Sequence, residues 1–209
     1  MEGRIDIGII MAIVVVCAAV AAIMLVDTNS NNGFATDDMH VKTVDELVEG
    51  DFITYNVSWS DDTGEGTYNW MEKLNGINGS ECIVDCYRNG GYEYMEIDST
   101  SDFVASFSAT PERLAELLKE EGYGDLNFQK QKTVSYKTYR GTVTCDLYAS
   151  PVNYDDGTTT RIGEIEAYIG PMDIVYNITS VVKETTQEGS NTTARQSVVT
   201  GSSLLVNDS

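Results

Sequence analysis

The chain has 209 residues, with 13 Lys+Arg against 33 Asp+Glu, a formal net charge of −20, and 42% apolar residues. So acidic a balance excludes a sequence-independent grip on nucleic acid, which needs surplus Lys and Arg to neutralise phosphates. The apolar content excludes a disordered acidic chain, and the single His removes most imidazole acid–base and metal chemistry.

Ile7 to Val26 reads IGIIMAIVVVCAAVAAIMLV, without a charge. At ~1.5 Å per helical residue this run spans about 30 Å, the thickness of a bilayer's hydrocarbon core. A cleaved signal peptide has a basic n-region and an apolar stretch of roughly 7–15 residues. Here Met1-Glu2-Gly3-Arg4-Ile5-Asp6 is poorly basic and the run is longer. Cleavage after Ala19-Val20-Ala21 leaves an apolar stub, Ala22 to Val26. Lipidation at Cys17 lacks the small preceding residue, since Val16 stands there. The sequence therefore favours an uncleaved single-pass anchor over processing or a buried soluble helix. Arg4 is the only basic residue before the run and Lys42 the first after it, which places the N-terminus in the cytoplasm and the bulk outside the cell membrane. N-x-[S/T] sequons at Asn56, Asn78, Asn177, Asn191 and Asn207 mark possible glycosylation and point the same way. Beyond the run the charge is −19.

The expected organisation is an anchor over 1–26, a polar stalk over 27–42, a β-rich domain over 43–206 and a tail over 207–209. Thr43-Val44-Asp45-Glu46 reads as a capping box opening a short helix closed by Gly50. Ile53, Tyr55, Val57 and Trp59 alternate as a half-buried strand. Asp61 to Gly66 turns the chain, Thr67–Leu74 returns it, and Asn75–Ser80 turns it again. Cys82, Val84 and Cys86 alternate, and Asn89-Gly90-Gly91 is a hairpin signal before Tyr92–Asp98. These strands make a four-strand meander.

Thr110-Pro111-Glu112 opens a helix with a hydroxyl cap, Pro in the first turn and an acid near the positive dipole end. Leu114, Leu117 and Leu118 form its apolar stripe and Gly122 stops it. Strand patterns resume at Val134–Tyr139, Thr142–Tyr148 and Arg161–Ile169, with turns at Arg140-Gly141, Asp155-Asp156-Gly157 and Gly170-Pro171. Ile174, Tyr176 and Ile178 lead a long strand, Thr185–Ala194 reads as a loop, and Ser197–Val206 as a last strand. The expected class is α+β: a mostly antiparallel curved sheet or half-barrel of eight or nine strands around one central helix.

Chemistry is sparse. Cys82 and Cys86 are ~13 Å apart along one strand, too far to bridge, so a disulfide would join Cys145 to one of them; small buried thiols are the alternative. Asp61 to Glu72 matches an EF-hand at its ends and at Gly66, but the strand-like flanks favour a hairpin turn. His40 lies in the stalk without a patterned nucleophile. Glu120-Glu121 and Glu164/Glu166 are the paired carboxylates a hydrolase would draft, though solvated faces explain them. No cofactor motif is present, and no catalytic constellation. Two interaction candidates remain. Lys130, Lys132, Lys137 and Arg140 form a local basic patch that could dock an anionic partner, or could simply blunt a sheet edge. Tyr55, Trp59, Tyr68, Trp70, Tyr92 and Tyr94 could stack on a ligand or fill the core.

Gly50-Asp51-Phe52-Ile53-Thr54-Tyr55-Asn56-Val57 following an anchor and stalk, then Tyr139-Arg140-Gly141-Thr142-Val143, Asp156-Gly157 and Tyr168-Ile169-Gly170 with Val175-Tyr176, resembles uncharacterised membrane-anchored archaeal cell-surface proteins of the methanogen type. The succession of strands around a helix also resembles lipoprotein-carrier-like half-barrels, which implies a concave sheet holding an apolar ligand. The likeness spans most of residues 43–206. The expectation is a non-enzymatic, membrane-anchored, extracytoplasmic module that binds an apolar or carbohydrate ligand or a surface protein. The other classes are a pilin-like filament subunit assembling through residues 7–26 and a surface hydrolase.

Overall fold

The computed structural model describes residues 39–207. The expected anchor at 7–26 lies outside them; among the described residues no helix is long and apolar enough to cross a membrane. The strands are β1 (Met39–Val41), β2 (Phe52–Asp61), β3 (Gly64–Asn78), β4 (Glu81–Arg88), β5 (Gly91–Ser99), β6 (Gln129–Thr138), β7 (Gly141–Asp155), β8 (Thr160–Ile169), β9 (Val175–Thr186), β10 (Gly189–Ser202) and β11 (Leu205–Asn207). Two short helices, α1 (Thr100–Ala105) and α2 (Pro111–Leu118), lie between β5 and β6.

Nine strands form one antiparallel sheet in the order β5-β4-β3-β2-β10-β9-β8-β7-β6. It is two meanders, β2–β5 and β6–β10, joined where β2 pairs with β10. The joint puts β5 and β6 at opposite edges, eight inter-strand spacings of ~4.8 Å apart if the sheet were flat. The chain between them must cross one face, and both helices lie on that crossing. The mostly antiparallel sheet agrees with the expected class, with a second helix added.

Each helix carries its own start signal. Ser99 caps α1 by accepting from the Asp102 amide at 3.0 Å, and Thr110 caps α2 by accepting from the Arg113 amide at 3.3 Å, with Pro111 in the first turn. Leu114 and Leu118, four residues apart, are buried while Glu112 and Glu116 stay exposed; each buried Leu contributes about 1.5–3 kcal/mol of apolar burial. Phe103 and Phe107 pack with Ile53, Leu74, Val84 and Cys86. Leu114 and Leu118 pack with Val152, Ile165 and Ala167. Alternation and cross-strand register place all these sheet residues on one face, here called the inner face.

Several boundaries differ from the sequence reading. Met39–Val41, read as stalk, forms β1, and the expected last strand divides so that β11 pairs with it. Thr185–Ala194, read as a loop, is the β9–β10 hairpin, because Thr-rich segments are good strand formers even without an apolar face. Strand β3 continues through the expected turn at Asn75 by means of a bulge. Thr43–Glu46 closes a single 3₁₀ turn: Glu46 Oε2 accepts from the Thr43 amide at 2.8 Å and its hydroxyl at 3.0 Å. The buried Asp51 ties the two ends of the domain together. It pairs with Lys42 at 2.8 Å and accepts from the Val48 amide and the Ser203 hydroxyl.

Candidate functional site

Register, not sequence spacing, decides which aromatics meet. Tyr55 pairs with Trp70, Val57 with Tyr68 and Trp59 with Gly66 across β2 and β3, and Glu72 pairs with Cys86, which pairs with Tyr94. Five of the six aromatics read from the sequence, Tyr55, Trp59, Tyr68, Trp70 and Tyr94, thus share the inner face. Tyr92 does not. A bulge in β5 sets Tyr92 opposite Tyr87, and that one-residue slip sends its ring to the outer face.

The helices cover only part of this face. Ile53, Leu74, Val84 and Cys86 beneath them are buried, whereas Trp59, Tyr68 and Trp70 are half-buried, and Tyr94, Arg88 and Arg195 exposed. The rings touch: Tyr68 meets Trp70 edge-on at 6.5 Å and Trp70 meets Tyr94 at 5.8 Å. Arg88 lies over the Tyr68 ring at 4.3 Å. Gly66 has a structural role here, because a Cβ on it would come within 3.0 Å of the Trp59 indole nitrogen. Its bare backbone lets that ring lie flat across β3.

Beneath the helix end of this platform is Glu72, which the sequence reading weighed only as the last position of an EF-hand-like stretch. It occupies an inward position between Trp70 and Leu74, and an acid in an apolar alternation was the available signal. The Trp70 indole N–H donates to Glu72 Oε1 at 3.0 Å and the Ser106 hydroxyl to Oε2 at 3.5 Å. Burial pushes its carboxyl up to about 7, with Glu96 and Asp98 reinforcing the rise against those hydrogen bonds. The Tyr55 hydroxyl donates to the Ser106 carbonyl at 3.1 Å, and burial raises its pKa well above the ordinary value.

On the far side of the platform, Trp59 pairs with Arg195 of β10, which pairs with Ser180 of β9. A cavity of about 150 Å³ opens there, lined by Leu118, Glu121, Tyr123, Ile165, Ile178, Ser180, Arg195 and Ser197. Burial raises the Glu121 carboxyl, with Arg195 opposing the rise.

The other sequence candidates fall elsewhere. Cys82, Cys86 and Cys145 are buried free thiols, in line with the small-thiol reading and not with a bridge from Cys145; β4 and β7 stand six spacings apart in the sheet. Burial pushes these thiols up to about 11, 12 and 12. Asn56, Asn78, Asn191 and Asn207 are exposed, but Asn177 is fully buried, where no glycan fits. Lys130, Lys132 and Lys137 lie exposed on edge strand β6, Lys130 pairing with Asp146 at 2.7 Å. Arg140 donates to the Leu205 carbonyl at 3.4 Å. Asp61 caps its own hairpin turn, accepting from the Thr63 and Gly64 amides, and His40 meets Glu46 at 3.0 Å. Glu164 and Glu166 alternate with the inward Ile165 and so face away from the helices, while Glu120 and Glu121 follow α2. Among the described residues no group of three or more His, Cys, Asp or Glu is placed to hold a metal ion.

No family model matches the chain, and no curated protein does. Similar solved structures come from bacteria. A Bacteroides fragilis protein described as exported, with a YmcC-like fold, is 13% identical, covers 79% of this chain and 98% of its own, and has a TM-score of 0.38. A Parabacteroides distasonis protein described as a lipoprotein is 13% identical over 74% of this chain and 95% of its own, at a TM-score of 0.35. A DUF1329 family protein of Desulfovibrio piger is 8% identical over 79% and 89%, at 0.22. Scores this low carry nothing into the functional argument. The expected archaeal family is nonetheless corrected: these neighbours come from bacteria, two of them described as an exported protein and a lipoprotein, and no sequence match supports the methanogen likeness.

Proposed function

We propose that this chain is an extracytoplasmic ligand-binding module whose open aromatic platform holds an extended ligand, a carbohydrate chain in preference to an enclosed apolar molecule. The carrying observation is that Trp59, Tyr68, Trp70 and Tyr94 share a sheet face, the first three half-buried and Tyr94 exposed, beyond the residues buried beneath the helices. Enclosed ligand pockets usually measure ~300–1,000 Å³, whereas the cavity beside the platform measures about 150 Å³. That volume suits one ring or the end of a chain. An open strip of rings suits pyranoses, whose C–H faces stack on aromatics while their hydroxyls stay wet. The apolar run, the charge step across it and the exposed sequons support an outward-facing location.

The test is a titration of the full chain against a panel of neutral oligomers of glucose and galactose, oligouronates and a long-chain fatty acid, read by calorimetry. A saturable response to an oligosaccharide that W59A and Y68A each abolish supports the reading. No response to any oligosaccharide, or binding indifferent to both substitutions, refutes it.

A further inference from the structure

The platform carries two guanidinium groups, and neither is held by a carboxylate as Arg113 and Arg161 are. Arg113 pairs with Asp102 and Glu116, Arg161 with Glu184, Lys42 with Asp51, Lys119 with Asp125 and Lys130 with Asp146. In a chain of net charge −20 such capture is the expected fate of a cation. Arg88 and Arg195 form no ion pair among the described residues, a state they share with Lys73, Lys132, Lys137 and Lys183, and both lie exposed on the inner face beside the aromatic rings. The Arg195 charge acts on the Glu121 carboxyl, which lines the same cavity.

Their placement follows the aromatic strip. Arg88 on β4 stacks over Tyr68 on β3; Trp59 on β2 comes next along the diagonal, and Arg195 on β10 is its cross-strand neighbour. The ends of this diagonal are three strand spacings apart, ~14 Å, and four residues apart along the strands, ~13 Å. That separation matches a short oligosaccharide and exceeds a monosaccharide. A guanidinium presents paired N–H donors that match a carboxylate's two oxygens. Rings between two such donors can therefore read a sugar chain that carries carboxylates.

We propose that the platform selects acidic oligosaccharides, uronate-containing chains whose rings stack on Trp59 and Tyr68 and whose carboxylates are bound by Arg88 and Arg195. This rests on the carbohydrate reading of the platform. The net negative charge of the protein repels such chains at long range, so recognition falls to these two contacts, and Glu121 competes with the ligand for Arg195.

The experiment titrates the full chain with oligogalacturonate, oligomannuronate and hyaluronan oligosaccharides, against neutral oligomers of matched length. The expected result is preferential binding of acidic chains, weakened about tenfold by R88Q and by R195Q, the loss from one charged hydrogen bond. E121Q should tighten it. Circular dichroism and unfolding midpoints control for folding of each variant. Neutral and acidic oligomers binding alike, with both Arg variants unchanged, overturns the acidic selectivity and leaves the platform reading standing. Silence toward every oligosaccharide overturns both.

Discussion

Replacing Glu72 with Gln should stabilise the protein above neutral pH and change little in acid. The folded-state carboxyl ionises near 7, against 4.5 in its ordinary state, chiefly because burial between Trp70, Ser106 and the sheet strips its water. Below 4.5 the folded and unfolded chains both hold the proton, and ionisation costs the fold nothing. As pH rises, the unfolded chain ionises first, so stability is lost progressively between 4.5 and about 7. At about 1.4 kcal/mol per pH unit, the full penalty is about 3 kcal/mol once the folded carboxyl has also ionised. Gln cannot ionise, yet its side-chain oxygen still accepts from the Trp70 indole. E72Q should therefore gain about 3 kcal/mol over wild type at roughly pH 8, or about 6–12 °C in Tm, and almost nothing at roughly pH 4. Urea unfolding of both proteins across this range makes the comparison, since shifted carboxyls remote from Glu72, such as Glu121 and Glu166, titrate in both and cancel in the difference. A variant no more stable than wild type in base, or a difference constant with pH, would refute the burial argument.

Three further outcomes follow from the packing. Cys82, Cys86 and Cys145 should resist a thiol reagent at neutral pH in the folded protein and react fully in urea, as peptide mapping would show; alkylation of any of them under native conditions contradicts their burial. A Cβ at Gly163 would stand 2.0 Å from the Val181 carbonyl oxygen, so G163A must push β8 from β9 and should cost more than about 3 kcal/mol by urea unfolding. Expressed in a host that glycosylates, the protein should carry no glycan at the buried Asn177, whatever the occupancy at Asn56, Asn78, Asn191 and Asn207, which mass spectrometry of glycopeptides would establish.

What the sequence made legible was local. Alternation in Ile53–Trp59 and Cys82–Cys86, the Asn89-Gly90-Gly91 hairpin and the Thr110-Pro111 helix start each depend on a few neighbours, and the structure has all of them. The pairing of β2 with β10 joins residues about as far apart as the domain permits, and no alternation pattern encodes a partner. Helix α1 escaped notice because Thr100–Ala105 is a single capped segment held by burial of Phe103, not by a periodic stripe. Five of the six aromatic candidates share one sheet face. Their arrangement depended on the β5 bulge that removes Tyr92 and on Gly66, which makes room for Trp59. Neither Arg88 nor Arg195 stands out in sequence; only the register brings them to opposite ends of one strip.

The most direct test of the platform uses a coincidence of composition. The chain has two Trp, and both lie on the inner face. Emission of the full chain carrying W59F or W70F, titrated with oligogalacturonate and its neutral counterpart, reads each indole alone. The platform predicts saturable changes in both variants, with one ligand giving one affinity at the two positions. Binding confirmed by calorimetry that leaves both indoles silent would place the ligand elsewhere and contradict the account.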